Sequence, residues 1–161
     1  MKTIICLSAL LAFAFNLTSA DAPKVALFEV HWVSDKASDD TEKMTLPRRP
    51  GSPPQDLNVQ KSILLDDKTV SSAWVTTNKV TVRPEIQMQL TQEGAKTFAK
   101  LTQDSNGKRL AFLLDGKLQS APIINSSIPN GRFTITGPFT FDDAHRISNR
   151  LAKGGHKQTT E

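Results

Sequence analysis

A short apolar run that ends in Asp-Gly is the feature that most constrains how this chain can fold. Leu110–Leu114 reads L-A-F-L-L, which is typical of a central strand covered on both faces. Asp115-Gly116 follows directly, and residues 117–124 again resemble a strand. Asp-Gly between two strands is a strong signal for a type I′ hairpin, because that turn requires positive φ at both of its residues. The sequence therefore predicts a hairpin whose first strand lies inside a layered core.

The segments on either side of this hairpin alternate between strand and helix patterns. Residues 85–90 and 132–136 alternate in polarity, while helical spacing follows Thr91 and Thr140, which can cap the helices they precede. The apolar stripes are Ala95, Phe98, Ala99 and Thr102 in the first helix and Phe141, Ala144, Ile147 and Leu151 in the second. An antiparallel sheet with two helices packed on one face would bury both stripes, so the predicted fold class is α+β and ferredoxin-like. We expect Phe98, Phe112, Phe133 and Ile147 to share one interior.

The first twenty residues have the pattern of a secretory signal peptide. Lys2 is followed by an apolar run over 4–15 and then by small residues, which predicts cleavage between Ala20 and Asp21. Cleavage after Ala22 is less favoured because Pro23 would follow the cut. The run is shorter than the roughly 20 residues of a spanning helix. We therefore expect a periplasmic or secreted protein, with no integral membrane segment after signal removal.

The composition that remains after cleavage excludes several kinds of site. The one cysteine, Cys6, lies inside the signal, so no thiol, disulfide or cysteine metal site is expected in the remaining 141 of 161 residues. Without Lys2, 19 basic residues stand against 16 acidic ones, a net charge near +3. These charges are interspersed and no aromatic–basic stripe accompanies them, so nucleic acid is not an expected partner.

The segment upstream of residue 59 is predicted to contain one strand and a long loop. Residues 25–33 are rich in β-branched and aromatic side chains, which favours a strand, and residues 69–76 form a weaker strand candidate. Residues 34–58 are polar and hold four of the nine prolines, so no regular element is predicted there. The predicted domains are a signal peptide (1–20), an N-terminal strand and Pro-rich linker (21–58), an α+β domain (59–155) and a tail (156–161).

Candidate catalytic, cofactor and metal residues do not emerge from the sequence. His31, His145 and His156 fall in a strand, a helix and the tail, and none has a second ligand at metal-binding spacing. No serine occupies a G-x-S-x-G motif, and Gly107-Lys108 lacks the rest of a phosphate-binding loop. We predict no enzyme activity, no catalytic or metal-binding residue and no cofactor.

Residues 90–154 resemble a known family in three separate blocks. They read L-T-Q-E-G-A-K-T-F-A-K-L-T at 90–102, N-G-K-R-L-A-F-L-L-D-G-K-L-Q-S-A-P-I-I at 106–124, and I-T-G-P-F-T-F-D-D-A-H-R-I at 135–147. In order and spacing these blocks are similar to the head subdomain of the first periplasmic domain of SecD and SecDF. The resemblance weakens upstream of residue 90.

This resemblance implies a role in protein export. Members of the family sit in the membrane beside the translocon, and their head is taken to contact the emerging polypeptide. Because no transmembrane run is predicted after the signal, we do not carry over the family's proton-coupled role. We expect a standalone soluble module that binds exported or unfolded polypeptide, or components of the translocon. The alternative is a head fold reused as an envelope structural protein or a small-ligand binder. The sequence leaves the oligomeric state open.

Overall fold

The computed structural model describes residues 26–47 and 53–154. The predicted signal peptide with its cleavage site at Ala20 and Asp21, and also Cys6 and His156, lie outside these residues. Within the described part of the chain the strands are β1 (Phe28–Ser34), β2 (Thr41–Leu46), β3 (Gln55–Gln60), β4 (Leu65–Asp66), β5 (Val70–Thr77), β6 (Pro84–Leu90), β7 (Leu110–Leu114), β8 (Lys117–Ser120) and β9 (Arg132–Ile135). The α-helices in the same part are α1 (Gln92–Gln103) and α2 (Phe141–Gly154), and a single 3-10 turn spans Asp67–Thr69. None of the helices in these two ranges is long and apolar enough to cross a membrane.

The strands form two antiparallel sheets. The larger sheet has the order β2-β3-β1-β7-β8, with β4 also pairing with β1, and the smaller sheet has the order β5-β6-β9. The prediction of an α+β fold with antiparallel strands and two helices is confirmed. The strands are divided between two sheets where the ferredoxin-like description has one, because β7 pairs with the upstream strand β1 and not with β6.

The predicted hairpin is present and joins β7 to β8. Asp115 has φ +49° and Gly116 has φ +69°, as a type I′ turn requires. All five residues of β7 are buried, as the apolar run predicts. Leu110, Phe112 and Leu114 face the main core between the two sheets, while Ala111 and Leu113 face a second, smaller core.

The main core is built around four phenylalanines that link the two sheets and α1. Phe28 and Phe112 come from the larger sheet, Phe133 from the smaller sheet and Phe98 from α1. The ring centroid of Phe133 lies 5.2 Å from those of Phe98 and Phe112, and 6.0 Å from that of Phe28. Ile147 of α2 belongs to the same core. The predicted shared interior of Phe98, Phe112, Phe133 and Ile147 is therefore confirmed.

The prediction that residues 34–58 contain no regular element is wrong. β2 pairs with β3 along six residues, and β3 in turn pairs with the end of β1. Pro47 directly follows β2 and Pro54 directly precedes β3, so the prolines bound the strands and do not interrupt them. Leu57 and Val59 of β3 are buried in the second core, which provides the apolar contact that a short strand needs.

Both helices begin with a side-chain cap at the predicted residue. The Thr91 hydroxyl accepts a hydrogen bond from the Gly94 amide at 3.1 Å, and the Thr140 hydroxyl accepts one from the Asp143 amide at 3.1 Å. The predicted stripe of α2 is shorter than expected, because Phe141 in its first turn is 44% exposed while Ala144, Ile147 and Leu151 are buried.

Candidate functional site

The larger sheet is curled, so that its two end strands approach each other. Cα atoms of β2 and β8 come within 8 Å, yet the two strands are not paired. Among the described residues β2 pairs with β3 alone and β8 with β7 alone, so each presents an unpaired edge. The second core, formed by Leu57, Val59, Ala111, Leu113, Leu118 and Ala121, consists of residues of this sheet and of the segment directly after β8.

Two cavities lie along the line where β2 and β8 approach each other, and they continue beyond these strands. The larger, of about 530 Å³, and the smaller, of about 390 Å³, share Pro47, Gln119 and Pro138 in their walls, so together they form one groove. Met44 and Leu118 line its end between β2 and β8, and Asn78 and Arg83 line its other end beside the smaller sheet. We call this continuous depression the seam groove.

At Gly137, in the middle of the seam groove, the turn after β9 packs closely against the side chains of Phe139 and Gln119. A Cβ atom at this position would lie 2.7 Å from the ring of Phe139 and 2.9 Å from Gln119 Oε1. A side chain at this position would require the Phe139 ring and the Gln119 side chain to move. Pro138 follows at once and forms part of the wall of both cavities.

An ion pair lies beside the seam groove on the β2–β3 hairpin. Lys43 Nζ is 2.8 Å from Asp56 Oδ2, and the Thr45 hydroxyl donates to Asp56 Oδ1 at 2.8 Å. The hydrogen bond to Asp56 raises the pKa of Lys43, and the hydrogen bonds from Lys43 and Thr45 lower the pKa of Asp56. The charge of Lys43 is thus balanced locally, and the groove is not strongly charged at this end.

The β5–β6 tip, which we define as residues 78–83, forms the opposite end of the seam groove. The Asn78 side-chain oxygen accepts hydrogen bonds from the amides of Val80 and Thr81, both at 2.9 Å. Its side-chain nitrogen donates to Glu85 Oε1 at 2.7 Å. One asparagine therefore holds the turn and also engages the one carboxylate in the wall of the larger cavity.

The histidines that the sequence singled out do not meet in a site. His31 is buried on β1, where its Nδ1 donates to the Gln60 carbonyl at 2.8 Å and its Nε2 lies 3.5 Å from Glu29 Oε2. His145 is exposed on α2. Across residues 26–47 and 53–154, no group of three His, Cys, Asp or Glu side chains is placed to hold a metal ion.

The sequence predicted the strand that forms one wall of the seam groove and missed the strand that forms the other. Lys117, which begins the second strand of the predicted hairpin, is exposed and lines the groove on β8. The β2 wall with Glu42 and Met44 lies in the stretch predicted to be a linker. The alternation of Met44 and Leu46 with polar residues is the signal that could have revealed it.

The two antiparallel sheets and two capped helices define an α+β class of module, and this chain aligns with solved structures over most of its length. A structure described as SecDF in a super-membrane-facing form aligns with 80% of this chain and 19% of its own, with a TM-score of 0.62 and 26% identity. A structure described as a membrane component SecDF that enhances protein export aligns over 80% of this chain and 63% of its own, with a TM-score of 0.61 and 27% identity.

Sequence comparison identifies the family. Residues 41–155 match the family described as the SecDF P1 head subdomain, and the chain belongs to it. Relatives include the protein translocase subunit SecD of Leptotrichia buccalis, 42% identical over 57% of this chain and 22% of the relative, and that of Sebaldella termitidis, 42% identical over 56% and 22%. The chain thus spans about a fifth of the length of these relatives. The match from residue 41 includes β2, the strand that forms the missed wall.

Proposed function

We propose that this protein is a non-enzymatic module of protein export that binds extended segments of exported or unfolded polypeptide in the seam groove. The observation that carries the proposal is the pair of unpaired strand edges, β2 and β8, that face each other across the groove. We further propose that an N-terminal signal cleaved between Ala20 and Asp21 delivers it to the periplasm or cell exterior.

Strand addition is the binding mode that this geometry favours. An unpaired edge offers main-chain donors and acceptors that an extended peptide of any sequence can use. Neighbouring strands lie about 4.8 Å apart, so a segment that paired with both edges would need them about 9.6 Å apart. Since β2 and β8 approach within 8 Å, no segment fits between them at that point, and we expect a bound segment to pair with one edge beyond the closest approach. The edge of β8 is the better candidate, because Pro122, two residues beyond this strand, has no amide to donate to a ladder and is typical of a sheet edge.

The relatives support the export context of this proposal. They are protein translocase subunits, and one solved structure is described as enhancing protein export. Because this chain spans about a fifth of those subunits, contact with translocon components is itself a proposal. It predicts that the folded module binds detergent-solubilised translocon more strongly than an unrelated periplasmic protein of similar charge does.

Site-specific crosslinking tests the groove directly. A photoreactive residue replaces Lys117, which is exposed in the groove, or Lys96, which is exposed on α1 away from it. Each protein is mixed with a permanently unfolded polypeptide and with the folded form of that polypeptide. We expect adducts with the unfolded chain at position 117 at least several times more abundant than at position 96. Equal labelling at the two positions would refute binding in the groove.

A small organic ligand is the second candidate occupant. The larger cavity, of about 530 Å³, is within the size range of small-molecule sites. The two functions differ in competition: a resident ligand purified with the protein would block crosslinking at position 117 until it was removed. An extract of the denatured protein that contained one stoichiometric small molecule would favour this alternative.

A further inference from the structure

We propose that the β5–β6 tip selects what the seam groove binds, and that it favours segments with an apolar side chain next to a carboxylate. The inference rests on the proposed function, because it assigns a substrate preference to the same groove. The tip is part of the groove wall through Asn78, Thr81 and Arg83. Its remaining residues, Lys79, Val80 and Val82, belong to the same short turn as these wall residues.

The tip exposes apolar surface to an unusual degree. Val80 is 90% exposed and Val82 is 70% exposed, the two highest values among the large apolar side chains of the described residues. Exposed apolar side chains that are grouped beside a cavity are a mark of a binding site, whereas single ones scattered over a surface need no explanation. An apolar side chain of a bound segment would cover these two valines.

Val82 is also held in a strained backbone conformation. Its φ is +55°, in the left-handed region that β-branched residues rarely adopt. The hydrogen bonds of the turn enforce it, because the Val82 amide donates to the Asn78 carbonyl and the Asn78 amide donates to the Arg83 carbonyl, both at 2.9 Å. Strain of this kind persists where the surroundings impose it, and it is concentrated at ligand-binding sites. A valine at this position costs stability, which a role in binding would explain.

The charge of the tip accounts for the proposed preference for a carboxylate. Residues 78–83 include Lys79 and Arg83 and no acidic residue. Neither cation forms an ion pair with any residue that the structure describes, and Glu85 of the same cavity is already engaged by Asn78. A carboxylate on the bound segment would meet two unpaired cations beside the exposed valines.

Fluorescence anisotropy with three labelled, unstructured 12-residue peptides tests this preference. One peptide places leucines beside aspartates, one places leucines beside lysines, and one places serines beside aspartates. We expect the first to bind the wild-type protein most tightly. Val80→Ser and Val82→Asn should each weaken its binding roughly three- to tenfold, because part of an apolar contact is lost. Arg83→Gln should reduce the preference for aspartate over lysine by roughly two- to fivefold.

Val82→Asn provides a readout that a purely structural role would not give. Asparagine tolerates the left-handed region, so this variant should melt at a higher temperature while it binds the leucine–aspartate peptide more weakly. Ile63→Ser is the matched control: Ile63 is 52% exposed and is not part of the groove wall. This variant should leave binding unchanged.

The outcomes separate this inference from the proposed function. If unfolded chains crosslink at position 117 but the tip variants bind all three peptides like the wild type, the tip has no role in selection and the proposed function stands. If Val82→Asn lowers both the melting temperature and the affinity, the valine is structural and the inference is wrong. If the wild-type protein binds no peptide and gives no crosslinks, both proposals fail.

Discussion

Gly131 and Gly107 both have positive φ, but only at Gly131 does a neighbour occupy the place of a side chain. A Cβ atom on Gly131 would lie 2.6 Å from the Cβ of Ala95 on α1, whereas one on Gly107 would have nothing within 4 Å. Gly131 directly precedes β9, and its carbonyl accepts a hydrogen bond from the Leu90 amide at 2.9 Å. The turn before β9 and the first turn of α1 are therefore in direct backbone contact.

This pair of glycines gives a prediction that separates backbone strain from steric overlap. Gly107→Ala should lower the free energy of unfolding by about 1 kcal/mol, the cost of placing alanine in the left-handed region. Gly131→Ala should lower it by about 2 to 4 kcal/mol, because overpacking against Ala95 adds to the same strain. Urea denaturation of the two variants and the wild type measures both values. Equal losses would mean that α1 moves aside at no cost.

At the level of single elements, the cap of α2 links stability to pH. The Thr140 hydroxyl donates to Asp143 Oδ2 at 2.7 Å, and Arg146 Nη2 donates to Oδ1 at 3.2 Å. The hydrogen bond from the Thr140 side chain, and then that from Arg146, lower the pKa of Asp143 below its ordinary value of 3.8. The folded state thus favours the ionised carboxylate more than the unfolded state does.

The sign of the resulting pH dependence follows from that difference. Because the pKa of Asp143 is lower in the folded state, the ionised carboxylate stabilises the fold at any pH above the pKa of the unfolded state, which is about 4. This contribution is lost as the pH falls from there through the pKa of the folded state. Asp143→Asn should remove this part of the acid destabilisation, so that its stability falls less steeply between pH 5 and pH 2. Thr140→Val should have the same effect, because it removes the main cause. Chemical denaturation across that range checks both, and an unchanged slope in either variant would contradict the assignment.

The sequence predicts those elements whose signals are local. The β7–β8 hairpin needs only Asp115-Gly116 and the apolar run before it, and α1 and α2 need only their caps and stripes, so all three are where the sequence places them. β2 and β3 carry two apolar residues each between polar and proline-rich stretches, and they are stabilised by pairing with each other and with β1. The alternation in β2 could have revealed a strand, but residue patterns alone could not show that this strand forms the second wall of the seam groove, because that depends on the curl of a whole sheet.

For the whole molecule, the shared phenylalanine core predicts that the two sheets unfold together. The chain has two tryptophans, Trp32 on β1 of the larger sheet and Trp74 on β5 of the smaller sheet. Trp32→Phe leaves Trp74 as the fluorescent reporter of the smaller sheet, and Trp74→Phe leaves Trp32 as the reporter of the larger sheet. If each variant unfolds in one cooperative transition, circular dichroism and fluorescence should give the same urea midpoint within it. A fluorescence transition that precedes the loss of secondary structure in either variant would mean that one sheet melts independently.

The opposed edges of β2 and β8 also bear on how the protein avoids aggregation. Free strand edges on a protein's outside recruit the edges of other molecules and so promote the growth of intermolecular sheets. Here each edge lies opposite the other at a separation that leaves no room for a further sheet to dock between them. Lys117 beside them adds a charge that opposes such docking. The curl therefore shields the two edges at their closest approach and discourages self-association at high concentration.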